Sequence, residues 1–211
     1  MCIRDRNSDL KNEAIAALDG KWGMAAILTF VYLIIAGCLS SIPWIGALVS
    51  LLISWPLAYG YTIIFYDLLR ERKNIEIACL FDGFKDFGRI WGTGILVTIY
   101  TMLWTLLLVI PGIIKGYSYA MTPYLLKDEP ELKYNAAIEK SMRMMNGHKM
   151  KLFLLDLSFI GWALLCILTL GIGFLFLNPY VVSAKAAFYE DLKAELKDGR
   201  NWEEPAPASS C

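Results

Sequence analysis

Asp156 and Lys115 are the residues best placed for chemistry, because each is the only charge in a long uncharged run. Leu152 to Ala184 holds no Asp, Glu, Lys or Arg besides Asp156, and Ile90 to Tyr124 none besides Lys115. An ionisable group inside a membrane is costly unless it binds an ion, moves a proton or finds a partner, so both are candidate intramembrane polar sites. Their depths differ. Asp156 lies roughly 6 Å into its run at about 1.5 Å per residue, and Lys115 falls near a turn from which its long stem can snorkel to water. The two are therefore expected toward opposite leaflets and unpaired with each other, which weighs against ion coupling.

Other reactive residue types lack partners. His148 is the only histidine, and a histidine-based metal site needs at least one more ligand of its kind or matched cysteines. Cys2, Cys38, Cys79, Cys166 and Cys211 show no metal spacing and no disulfide framework. Ser158, Asp156 and His148 have the types of a hydrolase triad, but no Gly-x-Ser-x-Gly elbow accompanies them. Asp128, Glu129 and Glu131 flank Pro130 without aligned partners. No phosphate loop or dinucleotide fingerprint is present. The pattern predicts no enzyme and no cofactor. Ile35-Ala36-Gly37-Cys38 has the form of a lipoprotein processing site, yet the chain stays uncharged to Tyr66, where such a protein needs a polar tether.

The elements that must position these groups follow from the missing charges. Trp22 to Tyr66 contains no Asp, Glu, Lys or Arg, and a spanning helix needs about 20 apolar residues. That run predicts helices over 22–41 and 44–66 with a turn at Ser40-Ser41-Ile42-Pro43. The second run predicts helices over 91–110 and 112–127 around Ile110-Pro111-Gly112. The third predicts one over 152–170 and another from Phe174, broken at Thr169-Leu170-Gly171-Ile172-Gly173 and continuing through Phe188, Leu192 and Leu196. The fold expected is all-α and polytopic: six transmembrane helices as three hairpins, one domain over 8–197, and a disordered tail over 198–211. A composition of 57% hydrophobic and 19% charged residues, with mean hydropathy +0.48, departs from soluble domains in the same direction. A soluble bundle would need polar faces that 22–66 lacks. Net charge +0 argues against nucleic acid as a partner.

Orientation comes from the basic residues. Segments 1–21, 67–89, 127–151 and 185–204 hold all of the 20 Lys and Arg except Lys115. With six helices all four lie on one side, and basic loops stay cytoplasmic, so both termini are expected in the cytoplasm of a cell-membrane protein. Trp22, Trp91, Trp44, Tyr66, Tyr124 and Tyr189 stand where an aromatic belt would.

The chain also reads as three similar units. Each has a lead-in, a glycine, an outgoing helix, a turn, and a returning helix ending in tyrosine: Phe65-Tyr66, Pro123-Tyr124 and Phe188-Tyr189. Pro56 and Pro179 both stand ten residues before their tyrosine. The lead-ins are expected to lie in the headgroup plane. The first buries Leu10, Ala14, Ala17 and Leu18, capped by Ser8 and ended by Gly20. The third buries Ile138, Met142 and Met145. Lys140, Arg143, His148, Lys149 and Lys151 are then candidate contacts to membrane lipids, anionic headgroups in particular.

The ordered set Pro111-Gly112-Ile113-Ile114-Lys115-Gly116-Tyr117-Ser118-Tyr119, Pro123-Tyr124-Leu125-Leu126, Ala137-Ile138-Glu139-Lys140-Ser141-Met142-Arg143, Asn146-Gly147-His148-Lys149 and Ala187-Phe188-Tyr189 closely resembles a bacterial family of uncharacterised integral membrane proteins, domain of unknown function nine-seven-five. It is distantly similar to the membrane domain attached to some glycerophosphodiester phosphodiesterases. The resemblance covers about residues 8–197, is more specific in the second half, and departs at Asp156. It implies location and topology and no chemistry. Met1-Cys2-Ile3-Arg4-Asp5-Arg6 fits neither the family nor the following cap and resembles a library adapter read in frame, so 1–7 is set aside as a non-native start.

Two functions remain open. One is a non-enzymatic scaffold, regulator or partner of a membrane complex, or a homo-oligomer, acting through the basic loops and small-residue faces at Gly161 and Gly171–Gly173. The other is a small transporter or lipid-handling protein with a path near Pro56, Pro123 and Pro179, beside Ser54, Thr62, Ser118, Thr122 and Ser183.

Overall fold

The computed structural model describes residues 3–40, 45–71, 74–169 and 171–198. Most of the first expected turn, Trp44, and the tail beyond 198 lie outside them. Among the described residues the chain is all helical, with no strand: α1 Ile3–Leu18, α2 Trp22–Ser40, α3 Ile45–Glu71, α4 Phe87–Leu107, α5 Val109–Tyr119, α6 Thr122–Asp128, α7 Asn135–Met144, α8 Lys149–Leu168 and α9 Phe174–Asp198. A 3-10 helix, Ile77–Phe84, precedes α4.

The lead-in helices pack their apolar faces against the rest of the protein. Leu10, Ala14 and Leu18 are 4%, 0% and 0% exposed, and α1 leans on α9 and α3. Ser8 sits inside α1 instead of capping it. Gly20, at φ +72°, takes the left-handed conformation that glycine adopts without steric cost. The chain bends by 92° there into α2. In the third unit Ile138 and Met145 are likewise buried. The second lead-in is the 3-10 helix, which presses on α3 so closely that Gly60 and Gly83 have no room for a Cβ.

The second hairpin differs from its expected form. The turn falls at Leu108, which is extended (φ −157°, ψ 131°), and not at Pro111-Gly112. Proline in the first turn of a helix loses no hydrogen bond, so Pro111 sits inside α5. Gly112 then lets α5 close on Thr105 of α4. The returning helix expected over 112–127 is two pieces. Pro123 falls in the first turn of α6, where its missing N–H loses no hydrogen bond, and α5 stops at Tyr119. With 11 residues, α5 is about 16 Å long, against a hydrocarbon core of about 30 Å.

Among the described residues, α4 and α8 are each long and apolar enough to cross a membrane, and the bent pair α1–α2 makes up to three such spans. The expected count of six is not reached by this measure. Most of α4 and α8 faces outward. Leu106, Leu107, Leu164 and Leu168 are 63–81% exposed, and contiguous apolar surface of this kind marks a face for lipid or for another protein.

Candidate functional site at three helix ends

Tyr66 and Arg70 lie four residues apart at the end of α3, Tyr124 and Asp128 at the end of α6, and Tyr189 and Lys193 near the end of α9. Residues at i and i+4 share a helix face, so each helix offers one tyrosine and one charge on the same side. The three tyrosines meet. Their ring centroids are 5.6 Å (Tyr66–Tyr124), 5.7 Å (Tyr66–Tyr189) and 5.2 Å (Tyr124–Tyr189) apart, within the range of favourable aromatic pairs. All three are at most 2% exposed. They are core residues and not a lipid-facing belt.

The charges meet one turn further along. The Asp128 side chain is only 8% exposed and joins the other two helices. Arg70 donates from Nη1 to its Oδ1 at 2.7 Å, and Lys193 Nζ pairs with its Oδ2. The hydroxyls of Tyr66 and Tyr189 donate to it at 2.8 Å and 3.1 Å. Tyr66 Oη also lies 2.5 Å from Glu190 Oε1, while Arg70 donates to Tyr66 Oη at 3.1 Å. One hydroxyl carries one proton, so Tyr66 donates to Asp128 or to Glu190 at any moment. A second pair, Lys127 to Asp67 at 3.0 Å, ties α6 to α3 beside it. Burial pushes the Asp128 carboxyl up. The hydrogen bonds from Lys193 and Tyr66, the Lys193 charge and the Tyr189 hydroxyl outweigh that and hold it below its ordinary value.

Asp156 is not alone in its helix. Lys185 of α9 pairs with it at 3.1 Å. Lys115 packs against α4 and α7. Its Nζ lies 3.9 Å from Met142 Sδ on α7 and 5.0 Å from the Trp104 ring centroid, because α5 is short and folds back onto α7. Among the five candidate lipid contacts, Lys140 holds Glu129 at 2.5 and 2.7 Å. Lys151 holds Glu195 at 3.1 Å, with His148 Nδ1 at 3.9 Å from the same carboxylate. Arg143 is exposed and Lys149 half-buried. Gly171, at φ +86°, and Gly173, against Cys166, form the turn into α9, whereas Gly161 meets nothing within 4 Å. Among the described residues no group of three or more His, Cys, Asp or Glu could hold a metal ion.

Residues 93–196 match the family model described as "Protein of unknown function (DUF975)". This part of the chain belongs to that family. The DUF975 match runs from within α4 to near the end of α9. It takes in Tyr124, Asp128, Tyr189 and Lys193 of the cluster, and Lys115 and Asp156, and leaves out Tyr66 and Arg70. No curated protein and no solved structure is significantly similar to the chain, so the distant likeness to the phosphodiesterase membrane domain finds no support there.

Asp128 carried no signal as a loop acid beside Pro130. The signal was the spacing Tyr-x-x-x-charge, present once in each of the three units as Tyr66/Arg70, Tyr124/Asp128 and Tyr189/Lys193, with signs plus, minus, plus.

Proposed function

We propose that this chain is a non-enzymatic multi-pass protein of the cell membrane that acts by contact, as a scaffold, regulator or partner of a membrane complex. The observation that supports this most is the use made of its polar groups. Asp128 binds the ends of α3, α6 and α9 to one another, and Asp156 links α8 to α9. The outer surfaces of α4 and α8 are apolar and open. Such a molecule has a fixed inner end and a face for lipid or for another helix. Gly161, bare on the exposed side of α8, allows a neighbouring backbone to come close. A photo-crosslinking side chain at Leu165, activated in native membranes, should capture a protein, another copy of the chain included. Recovery of lipid adducts and monomer alone would count decisively against the reading.

In the membrane the arrangement is read as six crossings, α2–α3, α4–α5/α6 and α8–α9, with the second return broken at Ala120-Met121. Both termini then face the cytoplasm, with the basic segments. Membrane-impermeant labelling of tags at the two ends should leave both protected in intact cells. Labelling of one end alone would break the six-pass topology.

A small lipid-handling or transport role is the second reading. It is favoured by the buried hydroxyls of Thr122 and Ser183, which have no hydrogen-bond partner. Thr122 lines a cavity of about 70 Å³ between α3, α4 and α6, with Thr62 and Thr93, room for about two waters.

A further inference from the structure

Lys115 stands in a cavity of about 250 Å³ between α4, α5 and α7, with Trp104, Tyr100, Asn135 and Glu139 on its walls. Its ammonium lies over the Trp104 ring and beside Met142 Sδ, and among the described residues no carboxylate lies within 4.0 Å of it. Tyr100 donates to Asn135 Oδ1 at 3.1 Å, which orients the amide and leaves its NH₂ to the cavity. The walls therefore present a cation, an amide donor and the Glu139 carboxylate. Leu103 and Leu107 of α4 and Ile110 and Ile114 of α5 extend the site as exposed apolar surface.

We propose that this cavity binds the headgroup of a phospholipid that carries a primary amine beside its phosphodiester. The phosphate oxygens accept from Lys115 and Asn135, as charge-assisted hydrogen bonds. The ammonium donates to Glu139. The acyl chains lie along the exposed leucines and isoleucines of α4 and α5. A primary amine fits better than a quaternary one. Glu139 needs a hydrogen-bond donor, and the one indole face in the cavity is already covered by Lys115. The inference stands whether the chain acts as a scaffold or moves lipid, since it concerns only what occupies this site.

The test is native mass spectrometry of the whole chain in detergent, with chain-matched phosphatidylethanolamine, phosphatidylcholine and phosphatidylglycerol added in turn. Wild type should retain phosphatidylethanolamine over phosphatidylcholine. Lys115→Gln should bind all three about tenfold more weakly, the size of one charge-assisted hydrogen bond, and Lys115→Arg should restore retention. Glu139→Gln should abolish the preference for the primary amine while leaving phosphatidylglycerol retention intact. Glu139 is exposed, so that variant tests the site without disturbing the core. Equal retention of phosphatidylethanolamine and phosphatidylcholine by wild type would overturn the proposal, as would unchanged retention in both glutamine variants. Free phosphoethanolamine that displaces the lipid at the lipid's own concentration would overturn a lipid as the occupant and assign the site to a soluble phosphate ester.

Discussion

Asp128→Asn should lower the thermal midpoint of the detergent-solubilised protein by about 4–8 °C, the equivalent of about 2 kcal/mol in a chain of this size. The substitution keeps one acceptor oxygen, enough for one of the two tyrosine hydroxyls, and removes the charge that Arg70 and Lys193 share. Breaking a buried pair costs about 3–5 kcal/mol. The figure is smaller here because Arg70 is 46% exposed and surface screening weakens its share. Lys193 also keeps Glu190 at 3.7 Å as a second partner. The pH dependence fixes the sign. The folded Asp128 carboxyl titrates below its unfolded value, so its stabilisation is complete above the unfolded pKa of about 3.9. It is lost as the pH falls through the folded value. Wild type should therefore lose more midpoint than Asp128→Asn between neutral pH and pH 3, and the two should converge in acid. Parallel pH profiles for the two proteins would refute the assignment of Asp128 as the charged link among the three helices.

Gly60→Ala and Gly83→Ala should each cost about 3 kcal/mol or prevent accumulation of folded protein, the upper range for overpacking. A Cβ at Gly60 would stand 2.1 Å from the Leu80 carbonyl oxygen, and one at Gly83 would stand 2.1 Å from that of Pro56. Both obstacles are backbone, so no side chain can swing aside. The 3-10 helix would have to lift off α3 and uncover Leu80, which is 0% exposed. The two positions guard one interface, so the double variant should cost less than the sum of the singles. Gly161→Ala is the control. Its Cβ meets nothing within 4 Å, and alanine gains about 1 kcal/mol of helix propensity over glycine. Its midpoint should match or exceed wild type. A wild-type midpoint for Gly60→Ala would show that the contact between the 3-10 helix and α3 is not close.

Much of the helix pattern was legible in the sequence because it rests on local chemistry. The uncharged runs placed α2, α4, α8 and α9 to within a few residues, since apolar length and flanking charge are properties of a segment. The repeat of Tyr66, Tyr124 and Tyr189 was legible for the same reason. The break between α5 and α6 was harder to see. Lys115 interrupts one long apolar run, and Pro123 marks a helix start as readily as a kink. The partner of the lead-in faces was not legible, because an amphipathic stripe records that a face is buried and not what buries it. Leu10 and Ala14 are buried where α1 packs on α9.

By itself the sequence determined that the chain is helical, that its long apolar segments suit a membrane, and that nearly all its basic residues lie in four segments, because those facts need only composition and order. Only the tertiary structure decided which charges are neighbours. Arg70, Asp128 and Lys193 are 58 and 65 residues from one another through Asp128, and Asp156 finds its counter-charge in Lys185 of a different helix. Pairing is a matter of distance in space, since the energy between charges falls with separation and rises with burial. It was settled when three helix ends packed their tyrosines together and left one buried acid between two bases.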